Sequence, residues 1–151
     1  MSIDHARAMM SKALALAARA GEEGEVPVGA LVVQDGRIIA RGYNRPRATH
    51  DPTAHAEIIA IRQAAQMLGS ERLTGCDLWV TLEPCAMCAG AISHARITRL
   101  YYAASDPKGG AIEHGPRLFD QATIHHRPEI YAGIAGGEAS AMLRDFFEKR
   151  R

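Results

Sequence analysis

Cysteine is scarce in this chain, with three in 151 residues. Three thiols cannot build the lattice of bridges that staples a small secreted domain. Long apolar runs are missing too. No stretch reaches the roughly 18 consecutive apolar residues that a membrane-crossing helix needs. Nor does one sign of charge dominate. Lys and Arg number 18 against 17 Asp and Glu, a formal net charge of +1, so affinity for a polyanion must come from local patches. There is no repeat, low-complexity tract or linker. What is present is an ordinary soluble composition, 47% hydrophobic and 23% charged. The chain is long enough to bury a core, and residues 1–151 read as one domain.

The opening "MSIDHARAMMSKALALAARAG" is rich in Ala and Leu, but Lys12 and Arg19 leave only a short apolar run between them and Asp4 is acidic. It reads as an amphipathic helix with Met10, Leu14 and Ala17 on one face and Gly21 as its stop, not as an export signal. The expected compartment is the reducing cytoplasm, where a Cys-x-x-Cys is more often metal-binding or catalytic than a disulfide.

Asp35-Gly36 joins two β-rich runs in "EVPVGALVVQDGRIIARGYN", a hairpin signal. The polar "NRPRATHD" reads as a loop. A helix follows, capped by Asp51 or Thr53 with Pro52 in its first turn, carrying Ile58, Ile61, Ala65 and Leu68 at helical spacing and ending at Gly69. "CDLWVTLE" is a strand, Pro84 opens a helix to about Ala95, and "ITRLYYAA" is another strand. Residues 111–135 read as irregular, with room for a short strand or helix. A last helix runs from Glu138 with Met142, Leu143, Phe146 and Phe147 as apolar contacts. Strands alternating with helices predict an α/β sheet covered by helices.

Two stretches carry chemistry: "TLEPCAMCAG" with Cys85 and Cys88, and "HDPTAHAEII" with His55 and Glu57. A redox disulfide at Cys85 and Cys88 would leave His55 and Glu57 without a role. A structural zinc needs four protein ligands, and His50, Cys76 and His94 all lack a familiar ligand spacing for the fourth place. An open catalytic zinc on His55, Cys85 and Cys88, with Glu57 nearby, fits best. A helix start favours the thiolate that binds the ion. Residues 55 and 57 face opposite sides of a regular helix, so they can serve one pocket only at the helix end.

His55-Ala56-Glu57 together with Pro84-Cys85-Ala86-Met87-Cys88 is the signature of zinc nucleobase deaminases. "EVPVGALVV", "YNRP", "HDPTAHAEI", "LWVTLEPCAMCAGAI" and "LRDFFEKRR" extend the likeness over nearly the whole chain. The chain resembles the bacterial tRNA-specific adenosine deaminases of the cytidine-deaminase superfamily. The resemblance implies a three-layer α/β/α cytidine-deaminase fold with a mixed five-stranded sheet. It implies a homodimer with one zinc ion per subunit, and conversion of adenosine to inosine at the wobble position of a tRNA anticodon, notably an arginine tRNA. Zinc-bound hydroxide would attack C6 of adenine while Glu57 shuttles protons and ammonia leaves. Asn44 would hydrogen-bond the base, with Val28, Leu82 and the Ala56 backbone shaping the pocket. Asp106 would lie near the target ribose, although an Asp-Pro turn is the plainer reading. Arg45 and Arg47, and Phe147, Lys149, Arg150 and Arg151 on the last helix, would meet the anticodon loop. Cys76 reads as a small buried filler, and His125-His126 as a surface loop pair.

The segment after Asp106 departs from the pattern of that family, which tends to run Gly-Ala-x-Gly-Ser. Here Ile112, Glu113, His114 and Gly115 stand at the corresponding places. That leaves two further readings. One is a deaminase of a free base or nucleoside (cytosine, guanine or adenosine) using the same zinc. The other is a zinc-stabilised RNA-binding module in which Glu57 is dispensable.

Overall fold

A computed structural model describes residues 1–150. Arg151, grouped above with the C-terminal cations, lies outside the described residues. The elements are α1 (Ile3–Glu22), β1 (Gly29–Gln34), β2 (Arg37–Tyr43), α2 (Pro46–Thr49), α3 (Ala56–Leu68), β3 (Cys76–Leu82), α4 (Ala86–Ala95), β4 (Arg99–Ala104), a 3-10 turn (Leu118–Asp120), β5 (Glu129–Ala132) and α5 (Gly136–Glu148).

The sheet order is β2-β1-β3-β4-β5. β1 is antiparallel to both β2 and β3, whereas β3, β4 and β5 are parallel, so the five-stranded sheet is mixed as expected. Asp35 and Gly36 both take positive φ, 51° and 78°, the backbone of the tight hairpin turn their sequence signals. One core layer packs α3 and α4 on the sheet through Ala56, Ala60, Ala64, Ala89 and Ile92. The other packs α1 and α5 through Met9, Met10, Ala13 and Ala139. Within that second layer Trp79, Tyr101 and Tyr131 stand side by side on β3, β4 and β5. Trp79 stacks on Tyr101 at 3.9 Å between ring centres, and Tyr101 on Tyr131 at 4.9 Å. Cys76 is fully buried in the first layer, as the filler reading had it.

Several boundaries differ from the sequence expectation. The helix expected from Pro52 begins at Ala56. The Asp51 carboxylate accepts instead from the Thr53 N–H and hydroxyl, closing its own turn and leaving the cap position to His55. The loop "NRPRATHD" holds the one-turn helix α2, capped by Glu25, which accepts from the Arg47 and Ala48 N–H groups. α1 runs one residue past Gly21. α4 starts at Ala86 and α5 at Gly136. Residues 111–135 include the 3-10 turn and the short edge strand β5.

Gly42 sets the distance of α3 from the sheet. A Cβ there would collide with the Ala56 carbonyl and the Ala60 N–H. Its lack of a side chain lets the first turn of α3 rest on β2. No described helix is long and apolar enough to cross a membrane.

Candidate active site

His55 and Cys85 occupy the same place on two helices. Each is the residue before the first helical turn, each is extended (φ −75°, ψ 154° and φ −74°, ψ 176°), and neither spends its side chain on capping. Both side chains therefore stand clear of their helix ends. Cys88, one turn into α4, lies on the same side as Cys85. His55 Nδ1 is 3.6 Å from Cys85 Sγ and 3.5 Å from Cys88 Sγ. The three ligand atoms lie within 4.8 Å of one another. A tetrahedral zinc with bonds of about 2.0 Å to nitrogen and 2.3 Å to sulfur sets an N···S edge of about 3.5 Å, and both His55–cysteine distances match it.

The same start of α3 explains how residues 55 and 57 serve one centre. His55 lies outside the helix and Glu57 inside its first turn, so regular helical facing does not separate them. Glu57 is 4% exposed. Burial pushes its carboxyl up to about 7, with the Cys85 and His55 charges acting on it as well. The Cys88 thiol, with His55, draws the Cys85 sulfur down to about 4, while the hydrogen bond to Cys85 and burial push Cys88 up. The His55 imidazole is pushed up by its bond to Cys85.

A mouth surrounds this centre. β1 begins where β2 and β3 end, with Gly29 opposite Tyr43 and Ala30 opposite Val80. That register gathers Val28, Asn44 and Leu82 at one end of the sheet, and the Asn44 N–H donates to the Val28 carbonyl at 3.1 Å. Asn44 is 9% exposed, and its Oδ1 accepts from the Ala56 N–H at 2.8 Å. That bond uses the Ala56 N–H and one lone pair of the amide oxygen, and it leaves the Asn44 NH₂ as the donor for a ligand.

The family model for the "cytidine and deoxycytidylate deaminase zinc-binding region" matches residues 3–104. The chain belongs to this deaminase family. It is 59% identical over 142 residues to a tRNA-specific adenosine deaminase of Agrobacterium fabrum, covering 94% of this chain and 93% of the relative. It superposes with a TM-score of 0.88 on a solved structure from a study of A-to-I editing by tRNA:A34 deaminases at the wobble position of transfer RNA. That match is 60% identical and covers 89% of this chain and 97% of the other. A guanine deaminase structure from Bacillus subtilis matches with a TM-score of 0.61 and 45% identity over 64% of this chain and 62% of that one. Zinc is the metal of this family, and His55, Cys85 and Cys88 are placed to hold it.

The remaining candidate residues of this deaminase lie around the mouth or apart from it. Asp106 is engaged in its own turn, with Oδ1 accepting from the Lys108 and Gly109 N–H groups. Arg45 lies over the Tyr43 ring, and its Nε forms an ion pair with the Glu23 carboxylate at 3.9 Å without a hydrogen bond. Phe147 is 49% exposed, while its neighbour Phe146 packs under the Arg150 guanidinium, 3.7 Å from the ring centre. A groove of about 780 Å³ runs between the loop after β4 and α5, lined by Ser105, Lys108, Leu143, Arg144, Phe147 and Arg150. His125 is exposed, but His126 is tied down by the Ser93 hydroxyl and the Ile97 carbonyl.

Sequence reasoning gave no role to Glu83. It is 2% exposed beside the ligand turn and gathers five donors. Burial would raise its carboxyl, but the donated bonds outweigh it and hold the group below the usual range. The signal was there: an acidic residue closing the apolar strand "CDLWVTL" must find donors or stay protonated.

Proposed function

We propose that residues 1–151 form a single zinc-dependent deaminase domain that converts adenosine to inosine at the wobble position of a tRNA anticodon. The reading rests chiefly on the near full-length match, at 60% identity, to a protein studied as a tRNA:A34 deaminase. It is supported by a centre made of His55, Cys85 and Cys88 with a buried carboxyl beside them.

His55 Nδ1 and the two cysteine sulfurs hold the metal, and when bound it supplies the Lewis acidity that makes water a nucleophile at neutral pH. Glu57 is the catalytic base and then the acid. It accepts the proton of the attacking water, delivers a proton to N1 of adenine and helps the amino group leave as ammonia. Water adds at C6 as nitrogen departs, so adenosine and water give inosine and ammonia. The Asn44 NH₂ orients the base, within walls formed by Val28, Leu82 and the Ala56 backbone. Asp106 borders the ribose. Arg45, Phe147 and Arg150 meet the anticodon loop by charge and stacking. The substrate is an arginine tRNA, and the working unit is a cytoplasmic homodimer.

The likeness to a guanine deaminase keeps a free base as the second reading, since the same centre would serve it. The exposed Phe147 beside a groove with Lys108, Arg144 and Arg150 favours RNA, because a free base needs no such surface. The test is an anticodon stem-loop with adenosine at the wobble position, run beside free adenosine, cytosine and guanine, with Glu57→Ala as the blank. Inosine in the stem-loop alone, lowered at least about a hundredfold in the blank, supports the reading. Turnover of a free base with a silent stem-loop overturns it in favour of the second. Full activity in Glu57→Ala overturns both.

A further inference from the structure

Glu83 is a buried carboxylate that the chemistry above does not use. Its side chain is fully enclosed, and both oxygens are occupied. Oε1 accepts from the Asp106 N–H at 2.9 Å and lies 2.8 Å from the His114 ring nitrogen Nδ1. Oε2 accepts from the N–H groups of Ile112, Glu113 and His114 at 3.1, 2.9 and 3.2 Å. All five donors belong to one loop, residues 105–115, which has no helix or strand of its own. A loop without a ladder takes its shape from such side-chain bonds.

The two ends of this arrangement touch different parts of the protein. On one side the Ala111 N–H donates to the carbonyl of Pro84, the residue before Cys85, at 2.9 Å. On the other, Ser105 and Lys108 form one wall of the groove whose opposite wall carries Phe147 and Arg150. Gly110 lies against the carboxylate itself, and a Cβ there would collide with the Glu83 carboxyl group and the Asp106 carbonyl.

We infer that Glu83 is a positioning residue for the substrate: it locks loop 105–115 between the metal-ligand turn and the basic groove, and so fixes how an RNA held in the groove registers with the metal ligands. The inference rests on the RNA-deaminase reading above. It also accounts for the divergent segment at Ile112, Glu113 and His114. Four of the five bonds go to backbone N–H groups, three of them in this segment, and any non-proline residue provides such a group, so side chains there can vary while the loop keeps its path. The His114 ring is the bond particular to this sequence.

The test uses the full-length zinc-loaded protein and the variant Glu83→Gln. An amide of the same shape must turn its NH₂ toward N–H donors on one side or the other. The expected result has three parts. KM for the anticodon stem-loop rises at least tenfold with kcat within threefold. Zinc stays at one per chain. Amide exchange quickens at Asp106, Ile112, Glu113 and His114, but not in β3. Gly110→Ala, which presses on the carboxylate from the loop side, shifts KM the same way, and His114→Ala gives a rise of two- to threefold. Unchanged KM in Glu83→Gln overturns the inference, and so does loss of zinc with general loss of protection, which would make Glu83 a plain structural group. If Glu83→Gln does not fold, Gly110→Ala with unchanged KM overturns it. A wild-type protein silent on the stem-loop overturns the underlying function instead, and the wild-type control separates the two failures.

Discussion

The centre and its approach are built by different means. The centre hangs on the starts of α3 and α4, where helix geometry places His55, Cys85 and Cys88, and packing buries Glu57. The approach is made of loop 105–115 and α2, held by isolated bonds from Glu83 and Glu25, beside the exposed side of α5. Backbone regularity makes the first rigid. Loop 105–115 and α2 have that rigidity only where a buried carboxylate lends it. Chemistry and recognition should therefore fail separately.

The sharpest break is Cys88→Ser. It removes a fully buried sulfur from a three-ligand set, so bound zinc should fall well below one per chain and turnover should vanish. Metal content and inosine release check it together, and a variant that kept both would show that the centre is misassigned. Next is Gly42→Ala. The added methyl must push α3 off β2, costing about 1–3 kcal/mol in stability. Because His55 and Glu57 ride on that helix, kcat should fall roughly 10- to 100-fold with KM for RNA little changed. Denaturant melts and steady-state rates on the stem-loop would show whether the two losses come together. The smallest effect belongs to the approach. Phe147→Ala removes an exposed stacking face worth about 1–3 kcal/mol per base, so KM should rise while kcat and zinc stay put. A fall in kcat there would blur the division between the two regions.

The same division explains what could be read from sequence. The alternation of strands and helices, the Asp35-Gly36 hairpin and the Cys85/Cys88 pair were legible as local patterns, whereas His55 lies thirty residues from Cys85 and the mixed five-stranded sheet came through the family resemblance. The start of α3 was misplaced because Asp51 and Thr53 look like caps but satisfy each other. β5 is four mostly exposed residues whose pairing with β4 makes it a strand, so periodicity had nothing to report. Glu83 stood in a quoted motif without a role, since its five donors come from residues 23 to 31 positions away. Asn44 was singled out, but its oxygen's bond to the Ala56 N–H, which fixes how the amide is turned, needed the folded chain.

The stacked aromatics of β3, β4 and β5 give the molecule a built-in optical label. Trp79 is the single tryptophan, sealed against Tyr101 in the layer beneath α1 and α5, whereas the metal ligands ride on the helices of the opposite layer. Its emission and the near-ultraviolet dichroism of the stack will follow loss of tight packing. They will stay nearly silent when the metal binds on the far side. Light absorbed by this protein reports whether it is folded, not whether its metal is in place.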